Sequence, residues 1–245
     1  PYIISLFHIL KHLFFDLDRT LWDFEKNSEA ALQHLFIDLE IGNHISSFES
    51  FIKTYKQINA RLWNSYGSGK LKKEVLRIKR FEDTLKSFQV DHPELASKLA
   101  DGYVAISPRQ TNIFPNTIET LEYLKKDGFQ MHIITNGFKE VQHIKLENSK
   151  LRNYFDVIVC SEEVGKNKPA PEVFHHSMQL AGAKPEESVM IGDDLKVDIL
   201  GAERVGMSGI LFDPNRTYND RAHDWHVYSL ERIPELLPWI AKSRM

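Results

Sequence analysis

From Phe114 onward the chain alternates short apolar runs with amphipathic stretches, and few architectures accept that order. "FPNTIETLEYLKKDG" reads as a helix with Pro115 near its start and Gly128 past its end. "FQMHIITNG" reads as a strand and "FKEVQHIKLENSK" as a helix, then "FDVIVC" as a strand and "PEVFHHSMQLAGA" as a helix. "SVMIGDD" is a strand, "LKVDILGAERVG" a helix, "SGILFD" and the short "HVYS" strands, and "LERIPELLPWI" the closing helix. Apolar strands separated by helices are the signature of a parallel sheet covered on both faces. The early run "HLFFDLDRTLWD" holds a further strand that alone has nothing to cover both its faces, so it joins the same sheet. The expected fold class is α/β, with a doubly wound parallel sheet.

Between that strand and Phe114 the pattern changes. Apolar residues recur at helical spacing, at Ala31, Leu32, Leu35 and Phe36, then at Phe51, Tyr55, Ile58 and Leu62. "EVLRIKRFEDTLKSF" and "HPELASKLADGYVAI" add further helices. The expectation is an all-helical insertion of four or five helices, a lid on the doubly wound core. The boundaries expected are 1–22 and 107–245 for the core and 23–106 for the insertion.

Bulk composition narrows the partners. A net charge of -3 gives no electrostatic reason to bind a nucleic acid polymer or an anionic membrane surface. The single cysteine, Cys160, excludes an internal disulfide and a cysteine-rich zinc site, and its apolar setting marks a buried thiol. The histidines are scattered, and the adjacent His175 and His176 point to different sides of a helix, so none is assigned to a metal. "PYIISLFHIL" is apolar but short and lacks a basic leader; it is taken as an extension into the first strand or an expression artefact. No apolar run is long enough to cross a bilayer, and the expected compartment is the cytoplasm.

In doubly wound sheets ligands bind beyond the carboxyl ends of the strands. Three strand ends here carry polar clusters, "DLDRT", "TNG" and "GDD". Asp16 and Asp18 close the first apolar run, and strand alternation would aim both at one spot, where their charges repel. A proton, a cation or water must offset that repulsion. A carboxylate such as Asp16 can act as a nucleophile and form an acyl phosphate. Asp18 can protonate a leaving oxygen and then take a proton from the attacking water. Magnesium prefers hard oxygen ligands, which Asp16, Asp193 and a backbone carbonyl would supply.

Thr135, Asn136 and Gly137 join a strand to a helix, where a hydroxyl and main-chain N–H groups make an anion site; an ordinary turn is the default reading of such a stretch. A lysine beside an aspartyl phosphate would neutralise it, and Lys166, Lys168 and Lys184 all lie near enough in sequence to leave the choice open. After the last polar strand end, Asp194 suits the N-cap of the next helix, and Asp198 suits either orienting the cluster or pairing with a lysine. Each acid has a bland explanation, but a run of acids ending a buried strand is costly without a cation.

"DLDRT", "TNG", "KP" and "GDDLKVD" occur in the order of the four motifs of the haloacid dehalogenase superfamily, which the chain resembles from His12 to about Gly206. The resemblance implies a Rossmann-like core with a helical cap inserted after the first strand. It further implies Asp16 as nucleophile, Asp18 as general acid/base, and Thr135 and Asn136 as phosphate binders. It selects Lys168, immediately before a proline, over Lys166. It makes Asp16, Asp193 and the Asp18 backbone carbonyl the protein ligands to Mg2+, with Asp194 and Asp198 in support. Arg19 departs from the commonest pattern, where an acid or glycine follows Asp18, and its side chain is expected to point away from both acids.

Within the superfamily, "TLWDFEKNS" and "LWNSYGSGKLKKEVLRIKRF" resemble the bacterial pyrimidine 5′-nucleotidases, which implies a small phosphorylated metabolite, above all a nucleotide, as substrate; a monomer and a homodimer are both open. Arg80, Trp63 and Lys70 are candidate cap contacts, although helix packing for Trp63 and a solvated charge for the other two are the default. The rival readings are a 2-haloacid dehalogenase, a sugar phosphatase or phosphomutase, and a phospho-aspartate signalling receiver. The dehalogenase has no use for Asp18 or "GDD"; the receiver would carry its acceptor on a later strand.

Overall fold

The computed structural model describes residues 10–244, and the N-terminal apolar stretch discussed above lies, up to residue 9, outside them. The chain forms two compact units, one made of the residues up to Phe24 and from Asn112 onward, the other of Glu25–Thr111. Both borders lie a few residues further along the chain than those expected. The chain's two crossings pair with each other: the Asp23 N–H donates to the Asn112 carbonyl at 3.0 Å and the Phe114 N–H to the Leu21 carbonyl at 3.0 Å. Trp22 and Ile113 form an antiparallel bridge, so both crossings belong to the first unit.

The first unit holds a six-stranded sheet in the order β3-β2-β1-β4-β5-β6. Its strands are β1 (His12–Phe15), β2 (Gln130–Thr135), β3 (Val157–Cys160), β4 (Ser188–Gly192), β5 (Ser208–Phe212) and β6 (His226–Val227), and every neighbouring pair is parallel. This is the Rossmann-like α/β fold expected. Alternate residues of each strand enter opposite cores. Leu13, Phe15, Met131, Ile133, Val189 and Ile191 pack on one face, and Phe14, Ile134, Val159 and Met190 on the other. The order reverses at β1, whose neighbours are β2 and β4, and in sheets of this kind ligands bind beyond the strand ends at such a reversal.

The second unit is helical. It comprises α1 (Phe24–Asp38, from Glu25), α2 (Phe48–Gly67), α3 (Lys73–Lys86) and α4 (Pro93–Ile106) around Leu32, Leu35, Phe51, Tyr55, Phe81, Leu99 and Tyr103. Ser47 caps α2 by accepting the Ser50 N–H, and Pro93 starts α4. Arg80 departs from the solvated charge expected of it: it is buried, with its guanidinium 4.6 Å from the Tyr103 ring centre and donating to the Arg77 carbonyl. Trp63 is half-buried against Tyr66, and Lys70 is exposed.

Returning to the first unit, α5 (Thr117–Lys126), α6 (Lys139–Asn148), α7 (Pro171–Ala181), α8 (Leu200–Glu203) and α9 (Ile233–Ser243) complete it. The stretch "LKVDILGAERVG" is not one regular helix. Its first turn, Leu195–Ile199, is wound wide, and the N–H groups of both Asp198 and Ile199 donate to the Asp194 carbonyl. Among the described residues no helix is long and apolar enough to cross a membrane.

Candidate active site

The β1 ladder runs one residue past the strand, because the Asp16 N–H donates to the Ile191 carbonyl at 2.9 Å. A tight turn follows. The N–H groups of Leu21 and Trp22 both return to the Leu17 carbonyl, and Arg19 adopts φ 68. The β1 ladder therefore stops before Asp18, which bridges to Trp22 within that turn and whose charge still acts on Asp16. Arg19 lays its guanidinium 4.2 Å from the centre of the Phe24 ring.

Lys168 is the hub of the buried charges. Its Nζ donates to Asp16 Oδ1 at 2.7 Å, to Asp198 Oδ1 at 2.6 Å and to the Ile134 carbonyl at 2.7 Å. Lys166, its sequence rival, is exposed. Asn136 braces the backbone of Lys168: its Oδ1 accepts the Lys168 N–H at 2.8 Å and its Nδ2 donates to the Lys168 carbonyl at 3.1 Å. Ser161 Oγ also donates to Asn136 Oδ1, at 2.6 Å. The Asn136 side-chain amide thus holds the Lys168 backbone in place.

Asp193 directly follows the end of β4. One carboxylate oxygen from each of Asp16, Asp193 and Asp198 lies within 4.8 Å of the others. Asp198 has both oxygens engaged, Oδ1 by Lys168 and Oδ2 by the Asp194 N–H at 3.1 Å. Asp194 caps the wide turn, accepting the N–H groups of Lys196 and Val197 at 2.9 Å each. Gly192 permits this crowding, because a Cβ there would lie 2.3 Å from Asp198 Oδ2.

Lys168 pairs with two of the three carboxylates, Asp16 and Asp198. Burial pushes Asp16 up to about 7, the pull of Lys168 being opposed by Asp198 and, more weakly, Asp18. Burial, then Asp16 and Asp198, drives Asp193 well above the usual carboxylate range. Asp198 is raised by burial, against the pull of Lys168. Burial alone would lower Lys168, but Asp16 and Asp198 outweigh it and raise it. The surplus of buried negative charge and the all-oxygen donor set fit a hard divalent cation.

Two residues that the sequence reading did not single out complete the arrangement. Lys145 Nζ meets Asp18 Oδ1 at 2.5 Å, and Gln142 Nε2 donates to Asp18 Oδ2 at 2.9 Å and to Thr135 Oγ1 at 2.6 Å. Both lie on the inward face of α6, where apolar periodicity gives no signal for a polar side chain. Tyr218 is a third addition, accepting the Leu195 N–H on its hydroxyl at 3.3 Å. Cys160 is buried at the end of β3, its thiol pushed up to about 12 by burial and by Glu163.

A buried lysine among clustered acids, at the point where a parallel sheet reverses its strand order, marks the ligand-binding end of a doubly wound fold. Residues 13–212 match the family described as haloacid dehalogenase-like hydrolase, and the chain belongs to that family. It is 31% identical over 229 residues to pyrimidine 5′-nucleotidase YjjG of Escherichia coli, covering 92% of this chain and 96% of the relative. It is 32% identical over 219 residues to glyceraldehyde 3-phosphate phosphatase of Methanothermobacter thermautotrophicus, covering 88% and 91% respectively. Among solved structures, the putative HAD-hydrolase YfnB of Bacillus subtilis, bound to magnesium, matches with a TM-score of 0.84 at 26% identity, covering 93% of this chain and 98% of that one.

Proposed function

We propose that the chain is a magnesium-dependent phosphomonoesterase working through an aspartyl phosphate on Asp16, with nucleoside 5′-monophosphates as its substrate class and Glu25–Thr111 as its cap. The observation that carries this reading is the buried Lys168 ammonium, 2.7 Å from Asp16 Oδ1 where the β1 ladder ends. Lys168 holds the Asp16 carboxylate in one orientation and supplies positive charge where a phosphoryl group would gather negative charge. Thr135 presents a hydroxyl at the end of β2, and Asp18 provides the proton for the departing oxygen. Asp16, Asp193 and the Asp18 main-chain carbonyl would hold Mg2+, which when bound supplies positive charge to the phosphoryl oxygens and to the clustered carboxylates.

The nucleotide assignment draws on the likeness to a pyrimidine 5′-nucleotidase, and the similar identity to a glyceraldehyde 3-phosphate phosphatase makes a triose phosphate the second reading. A haloacid dehalogenase would use an aspartate nucleophile but has no need of Asp18 as an acid or of a cation. Initial rates of phosphate release should be measured over nucleoside, sugar and triose phosphates, with Mg2+ and with chelator. The reading requires release from one class, its loss on chelation, and its loss in a folded Asp16→Asn variant. Turnover of 2-haloacids in chelator, with none of the phosphates hydrolysed, would overturn it.

A further inference from the structure

We propose that Lys145 and Gln142 are positioning residues that fix the Asp18 carboxylate for both of its proton transfers, an inference that rests on the phosphomonoesterase reading. The two donors grip one oxygen each, Lys145 Nζ at Oδ1 and Gln142 Nε2 at Oδ2, and so set the plane of the carboxyl group. A carboxylate offers about four lone-pair positions, so two donors leave room for a proton. Lys145 is itself confined: its side chain is buried and its ammonium lies 4.3 Å from the centre of the Trp22 ring, with Asp18 as the acid it meets.

Gln142 extends the control to Thr135. The Thr135 hydroxyl oxygen accepts both the Gln142 amide at 2.6 Å and the Gly137 N–H at 3.1 Å. With both lone pairs of Oγ1 filled, its own hydrogen is directed outward, the orientation needed to donate to a phosphoryl oxygen. The opposite amide orientation would set the Gln142 oxygen against the Asp18 carboxylate; in the orientation adopted, that oxygen is buried without a partner among the described residues. Gly137 makes room for this, because a Cβ there would stand 2.2 Å from Gln142 Nε2. The glycine of "TNG" therefore serves the clamp as well as the turn.

In the first step an Asp16 oxygen bonds to phosphorus, the bond from phosphorus to the leaving oxygen breaks, and the Asp18 proton passes to that oxygen. In the second, a water oxygen bonds to phosphorus, the bond to Asp16 breaks, and the water's proton returns to Asp18. A misplaced Asp18 slows the first step most for leaving groups that depart poorly without a proton. An ion pair that only tethers α6 to the β1 turn would not discriminate between leaving groups.

The test measures kcat/KM on p-nitrophenyl phosphate, whose leaving group needs little protonation, and on an alkyl phosphate that wild type hydrolyses. Lys145→Met should lose about 100-fold on the alkyl ester, the lower end of the usual general-acid contribution. Its loss on p-nitrophenyl phosphate should be at least about tenfold smaller, and Lys145→Arg, which keeps the charge, should retain more alkyl activity than Lys145→Met. Gln142→Met should show the same selectivity and serves as the decisive variant if Lys145→Met fails to fold. Equal losses on the two substrates, or none, would overturn the clamp. Wild-type protein inactive on every phosphate ester would instead overturn the phosphomonoesterase reading beneath it.

Discussion

Lys168→Met in cation-free protein removes the one ammonium shared by Asp16 and Asp198, which it meets at 2.7 and 2.6 Å from a position where its side chain is 1% exposed. Methionine keeps most of the stem's packing, so the change isolates the charge. Removing one partner of a buried ion pair costs about 3–5 kcal/mol, because the remaining charge stays buried. In domains of roughly this size each kcal/mol shifts melting by about 2–4 °C. The sheet-bearing unit should therefore melt roughly 6–20 °C lower, as read by calorimetry in chelator at about pH 8. The loss should shrink toward about pH 5.5, because Asp16, already raised to about 7, takes up a proton. Adding Asp198→Asn removes one orphaned charge and should restore part of the loss in a double-mutant cycle. Lys166→Met, at an exposed position, should stay within about 0.5 kcal/mol of wild type. Equal melting of Lys168→Met and wild type, or equal costs at Lys166 and Lys168, would refute the claim that Lys168 balances the cluster.

Two further outcomes follow from the same cluster. Asp16 binds its proton more tightly when folded, at about 7 against the ordinary 3.8, so the folded state holds the extra proton between those values. Stability of cation-free protein should then fall as pH rises from about 4 to about 7, and saturating Mg2+ should cancel most of the fall; melting profiles with and without the metal check both. Gly192→Ala would set a Cβ 2.3 Å from Asp198 Oδ2, and overpacking of this kind costs about 1–3 kcal/mol, readable by denaturant titration together with a drop in phosphate release.

The parallel sheet was legible because its strands are uninterrupted apolar runs between amphipathic helices, and the strand ends stood out because acids follow those runs directly. Lys168 could not be separated from Lys166 by residue type alone, since burial divides them and two neighbouring lysines carry no pattern that encodes it. Asn136 looked like an anion binder because its turn resembles one; only the fold shows its amide closing on the Lys168 backbone. Gln142 and Lys145 escaped notice for the opposite reason. They occupy the buried face of a helix, where the hydrophobic period reads any polar residue as noise. Arg80 misled similarly, because an arginine among charged neighbours in sequence gives no sign of the aromatic rings that enclose it.

The central claim is that Asp16 is phosphorylated during turnover. Acid-quenching the enzyme during hydrolysis of a good substrate and mapping its peptides by mass spectrometry tests this directly. One phosphoryl group is expected on the peptide bearing Asp16, formed and lost at rates that match turnover, and none in Asp16→Asn. Phosphate release at wild-type rate by Asp16→Asn, or a phosphoryl group on another residue with turnover-competent kinetics, would contradict it.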